Sequence, residues 1–281
     1  MNRATWKKLV VENPMRIEIS RFRRKFLGLG GSGVNRAAFF LLLVCYAGLV
    51  LSVMSLQNNI SPLALVIFQT FLFCLFATAM LHGSIAGERE RRSWDLLMVA
   101  PISKAQIIAG KFMGAVAPLG ISAAAMTIPT AIAASSFDRK DPYALVLGEL
   151  VSLSFCLLVC AWAIFISARS KRPFMALGTT IGTLILGLIV LPILVSTIFQ
   201  GERISNELLN FLNPFSVLSV LTDPPAYENG GGLIPLSFYG PVHMATYLAL
   251  TALFLVYAEK TLSYPENDMS FIPRNQTDAG S

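Results

Sequence analysis

Six apolar stretches, each about long enough to cross hydrocarbon, alternate with charged islands along this chain: Ala37–Ser55, Leu63–Ala86, Phe112–Ala134, Ala144–Ala168, Phe174–Phe199 and Tyr239–Ala258. Hydrocarbon ~30 Å thick requires about 20 apolar residues of helix at ~1.5 Å per residue. With 281 residues, 54% hydrophobic and only 14% charged, the chain carries more apolar surface than a soluble fold of this length can hide. Soluble domains carry about 25% charged residues. A barrel would show alternating segments of about ten residues instead. The pattern predicts an all-α polytopic membrane protein with six transmembrane helices in a single domain over 1–281. A basic segment occupies 1–36, the spans lie within 37–258, and a tail covers 259–281.

Lys and Arg orient the spans. With the N-terminus inside, residues 1–36, 87–111, 169–173 and 259–281 are cytoplasmic and hold nine, five, three and two basic residues, 19 of the chain's 22. Only Arg139, Lys140 and Arg203 fall on the other side. That asymmetry predicts a multi-pass protein of the inner or plasma membrane with both termini cytoplasmic. The net charge of +6 is therefore read as orientation and not as nucleic-acid binding. The first apolar run starts only after residue 36, unlike that of a cleavable signal peptide.

Residues 13–27 read as an amphipathic interfacial helix. Asn13 suits the N-cap and Pro14 the first helical position. Met15, Ile19, Phe22 and Phe26 form one apolar stripe, and Arg16, Arg21, Arg23, Arg24 and Lys25 cover the rest. Such a helix lies among lipid headgroups with its cations near anionic lipid. Gly28, Gly30 and Gly33 match G-x-G-x-x-G, but no strand precedes them, so they read as a helix stop and hinge.

The connection 87–111 between spans two and three is far longer than a turn needs. A charged run Glu88-Arg89-Glu90-Arg91-Arg92 precedes a short apolar helix, Trp94–Val99, and a break at Pro101. Ser103 and Gln106 form a capping box, with Ile102 and Ile107 as its staple, and open the next helix. Trp94, Leu97 and Met98 are expected to be exposed there, and exposed apolar groups on a charged loop suggest docking onto another protein. Residues 206–221 predict a short re-entrant or interfacial helix broken at Asn213-Pro214.

Polar groups inside spans invite a functional reading. Glu149 lies near the outer interface, where a snorkelled or water-facing carboxylate is expected. His82 and His243 should stand a membrane thickness apart. Cys45, Cys74, Cys156 and Cys160 all lie within spans and read as small buried thiols. Gly178 and Gly182 form a small-xxx-small pair suited to close helix packing, a candidate dimer interface. The chain has no P-loop, no G-x-S-x-G and no H-E-x-x-H, so no catalytic, cofactor or metal site is expected, nor nucleotide hydrolysis by this chain alone.

The stretch 85–111 resembles the permease subunits of type-2 ABC exporters. The matching residues are Glu88, Arg89, Glu90 and Arg91, then Ser93, Asp95, Leu96, Leu97, Pro101, Ser103, Gly110 and Lys111. Trp94 stands where leucine is usual, and Arg92 replaces a small or polar residue. The resemblance implies a dimer with a second permease, identical or homologous, and two copies of a separate ABC ATPase. It implies that 88–101, Trp94 included, is a coupling helix docking on that ATPase, and that spans one and five carry the dimer contact. A second reading is a membrane anchor that recruits an ATPase to a secretion or motility machine and moves no solute.

Overall fold

Proline sets the first turn of four of the helices into which the apolar stretches fold. The computed structural model describes residues 44, 46–48, 50–51, 62–91, 94, 103–135, 142–198, 211–222 and 234–262. Within these residues the elements are α1 (Pro62–Leu81), α2 (Ala86–Glu90), α3 (Lys104–Ser135), α4 (Pro142–Arg169), α5 (Pro173–Ile185), a π-helical turn (Leu186–Val190), α6 (Leu191–Ile198), α7 (Pro214–Thr222) and α8 (Leu236–Thr261). Pro62, Pro142, Pro173 and Pro214 open their helices, where the missing N–H has no intrahelical partner to lose. At α3 the expected capping box is present. The Ser103 N–H donates to Gln106 Oε1 at 3.0 Å, and the Gln106 N–H donates to Ser103 Oγ at 3.2 Å.

Among the described residues five helices are long and apolar enough to cross a membrane, and they correspond to spans two to six. Of the first span, Val44, Tyr46–Gly48, Val50 and Leu51 are described, all helical, with Tyr46 and Val50 buried. The amphipathic helix with Arg16, Arg21, Arg23, Arg24 and Lys25 lies outside the described residues. So do Ser93, Asp95, Leu96, Leu97, Pro101 and residues 263–281 of the C-terminal tail.

The fourth span, α4, is the centre of the bundle. It packs most extensively against α8 and next against α1. Its α8 face is apolar and aromatic. Phe155 meets Tyr247 edge-on at 5.2 Å, and Trp162 meets Phe254 at 4.8 Å. Gly240 of α8 lets the helices approach, since a Cβ there would lie 2.6 Å from Leu147 Cδ2. The α1 face of α4 is polar and carries Glu149 and Ser152. Cys74, Cys156 and Cys160 are buried and free, as expected of small thiols in spans.

The fifth span behaves differently. Phe174, Met175, Ile185, Leu186, Ile193 and Leu194 all face outward, and little of α5–α6 is covered by the rest of the chain. Pro192 has no N–H to offer the Leu188 carbonyl four residues earlier. The backbone there takes the π-helical turn, a common feature where the helical ladder is disturbed. Asn213 Nδ2 donates to that Leu188 carbonyl at 3.2 Å, while Asn213 Oδ1 caps α7 by accepting from the Phe215 N–H at 3.0 Å. The break expected at Asn213-Pro214 is therefore the start of α7, which is not peripheral. Its Val217 and Leu218 are fully buried, and it packs against α1 and α4.

Gly240→Ala should destabilise the bundle by about 1–3 kcal/mol through overpacking against Leu147. Adding Leu147→Ala should recover part of that loss. Unfolding of purified protein in mixed micelles checks this, and independent, additive costs would contradict the close approach.

Candidate functional site

The sequence singled out the segment after span two, and the structure shows how its first part is fastened. Helix α1 ends at Leu81. Residues 82–85 make a turn, and α2 carries on to Glu90. A break in a spanning helix strands backbone groups where water is scarce. Ser167 of α4 supplies the partners. Its Oγ accepts from the Ile85 and Ala86 N–H groups, each at 3.1 Å, and donates to the His82 carbonyl at 2.8 Å. A serine hydroxyl has one donor and two acceptor sites, and here all three are engaged by one turn. Pro173, at the start of α5, packs on the same turn: a Cβ at Gly83 or Gly87 would stand 3.7 Å from its ring.

A second fastening comes from α3. Lys111, with no exposed surface, places Nζ 2.7 Å from Glu88 Oε1, and Glu88 is 22% exposed. Trp94 is a third. The indole was expected to be exposed, but it is 5% exposed and belongs to the core that includes Ile85, Ile107 and Ile108. Arg89 lies over its ring, with Cζ 5.4 Å from the centroid. The correction has a simple cause: a large apolar ring beside an available core is stabilised more by burial than by display. Glu90 and Arg91 point outward. Three spans thus hold α2, and its charges divide into Glu88 on Lys111, Arg89 over Trp94 and an outer pair, Glu90 and Arg91.

At the opposite, non-basic end of the bundle the structure assembles a group the sequence reading largely missed. The Tyr46 hydroxyl donates to Gln69 Oε1 at 2.9 Å, and Gln69 Nε2 donates to Glu149 Oε2 at 2.8 Å. Tyr46 also contacts Thr130 Oγ1 at 2.5 Å, and Thr70 donates to Ser152 Oγ at 2.7 Å. Thr127 lies against the same carboxylate. The first four spans each contribute. Glu149 is 7% exposed and neither snorkels nor faces water. A usable signal was depth: Gln69 and Glu149 each stand seven residues from the start, at the non-basic end, of adjacent helices that run in the same direction.

The remaining flagged residues do not join these groups. His82 lies at the turn, its Nδ1 2.9 Å from the Ala79 carbonyl. His243 is buried on α8 between the rings of Phe211 and Tyr239, at 4.3 and 4.4 Å. Gly178 and Gly182 sit on the uncovered face of α5, where an added Cβ would meet nothing within 4 Å. Among the described residues no three His, Cys, Asp or Glu side chains could share a metal ion.

Comparison with known proteins adds two findings. The family described as "ABC-2 family transporter protein" matches residues 19–269. A Pseudomonas aeruginosa protein named "Probable ABC transporter permease protein NosY" is 31% identical over 207 residues, covering 64% of this chain and 70% of that protein.

Breaking the Lys111–Glu88 pair should be asymmetric. Glu88→Gln strands a fully buried cation and should cost about 3–5 kcal/mol. Lys111→Met leaves the charge on Glu88, a side chain that is 22% exposed, and should cost less. Ser167→Ala should cost at least about 1–3 kcal/mol by leaving buried backbone groups unpaired, and Ser167→Thr should cost less because it keeps the hydroxyl. Equilibrium unfolding in micelles measures each, and equal costs for Glu88→Gln and Lys111→Met would contradict the burial asymmetry.

Proposed function

This chain belongs to the ABC-2 family of transporter proteins, and on that premise we propose that it is the transmembrane permease of an ATP-driven exporter powered by a separate ATPase subunit. The observation that carries the reading is the charged helix α2, tied to the bundle by Ser167, Lys111 and Trp94, with Glu90 and Arg91 left outward. A force applied to the outward face of such a helix is delivered to α3 and α4 at once, since bonded elements move together.

The chain lies in the inner or plasma membrane with residues 87–111 and both termini in the cytoplasm, the side to which the basic residues assign them. Two ATPase copies dock on the segments of two permeases. Glu90, Arg91, Ser93, Asp95, Leu96, Leu97 and Pro101 form the contact. Glu88 and Arg89 lie at its inner edge, and Trp94 anchors the segment from within. The permeases meet through the first and fifth spans. The uncovered α5 with Gly178 and Gly182 supports that assignment, because an apolar helix left open by its own chain must face lipid or another permease. The relative's name is that of a transporter permease, which favours solute movement over the anchor reading.

Three measurements test the reading. Single cysteines at 90 or 95 should react with membrane-impermeant thiol reagents only when the cytoplasmic face is open. Reaction from outside would reverse the orientation. Glu90→Lys with Asp95→Lys should insert and fold normally yet lose at least about tenfold in ATPase retention on purification from native membranes. That is the scale expected when a truncated or reversed interface anchor costs ~1.4 kcal/mol or more. Undiminished co-purification of a P-loop ATPase with the doubly changed protein would remove this segment as the docking site. Cysteines at 178 or 182 should crosslink two permeases, and monomers alone would reject the dimer contact.

A further inference from the structure

Glu149 is buried, and among the described residues no Lys or Arg stands at its end of the bundle. Along α4 itself the nearest is Arg169, twenty residues on, or about 30 Å at 1.5 Å per residue. The neighbours that face the carboxyl are Tyr46 from the first span, Gln69 and Thr70 from α1, Thr127 and Thr130 from α3, and Ser152 on α4. Tyr46 is the titratable one among them. Cys74 and Cys156 lie further along the α1–α4 contact, and α7 carries no titratable side chain. Tyr239, His243 and Tyr247 belong to α8, which meets the other face of α4 through Leu147 and Phe155.

The hydrogen bonds around the carboxyl are lopsided. Oε2 accepts from Gln69, whereas Oε1 has no hydrogen bond among the described residues, the nearby Thr127 hydroxyl giving its proton to the Ala123 carbonyl at 2.9 Å. An ionised carboxylate takes up to about four donors, and a buried charge with one donor and no cation among the described residues is more costly than a neutral group short of one hydrogen bond. The neutral acid fits this surrounding and the anion does not.

We propose that Glu149 is a proton-binding site of the membrane interior, with the acid proton on Oε1 while Gln69 donates to Oε2. Binding and release follow the contact between α1 and α4. When the two helices part, Gln69 leaves Oε2 and water reaches the carboxyl. The O–H bond then breaks and the proton passes to water, leaving the carboxylate. Closure reverses the transfer, with no change of oxidation state. The packed arrangement of the first four spans therefore takes up one proton from solvent.

Infrared spectroscopy of the purified, lipid-reconstituted protein at neutral pH tests this. The wild type should show the carbonyl stretch of a protonated carboxyl that shifts in deuterated water. The band should disappear in Glu149→Gln and, should that variant fail to fold, should change frequency in Glu149→Asp. Absence of the band from the wild type, or its persistence unchanged in the variants, overturns the proposal.

Discussion

Every interruption of a helix inside a membrane protein must find its hydrogen-bond partners within the protein, because the surrounding hydrocarbon offers none. Two interruptions organise this bundle. At residues 82–86 the partner is Ser167 of α4. Beside the π-helical turn of the fifth span it is Asn213, which reaches the Leu188 carbonyl and at the same time caps α7. Each is a single side chain from a distant part of the sequence. Each therefore fixes a tertiary contact as well as a local one, so the direction of α2 and the seat of α7 follow from backbone chemistry.

With those two points set, α4 becomes the axis. One of its faces packs by rings and by the space Gly240 leaves for Leu147. Its other face packs by hydrogen bonds from Glu149 and Ser152 to α1. Dispersion tolerates small slides of one helix on another, whereas a hydrogen-bonded carboxyl holds one register. The polar face thus specifies how the first four spans fit, and the aromatic face supplies adhesion to α8. The fifth span, joined to α4 through a short basic turn, is left with its apolar surface open, which suits a helix that completes its packing outside its own chain.

The charged helix α2 shows the same division of labour at smaller scale. Glu88 turns inward to a lysine with no solvent contact, and Arg89 lies on the buried Trp94 ring, while Glu90 and Arg91 face outward. Residues two apart on a helix point in different directions, and Arg91 stands past the helix end in its cap, so one turn can be bonded to the membrane bundle and still offer charges to a partner.

Length and hydropathy alone determined spans two to six, because crossing hydrocarbon leaves a chain little choice but a long apolar helix. Local chemistry determined the Ser103–Gln106 box and the helix start at Pro214, since both depend on neighbours a few residues away. What the sequence could not reveal is which way a polar side chain in a span turns. Ser154, Thr180 and Thr251 bond the carbonyl three or four residues earlier in their own helices, whereas Ser167, of the same kind, bonds across to another helix. Trp94 was readable as an apolar anchor but not as a buried one, and Glu149 as an acid but not as the partner of Gln69. Those choices were decided only by tertiary structure, because each depends on which helix stands opposite, and residues as far apart as 69 and 149 meet only once the spans have packed.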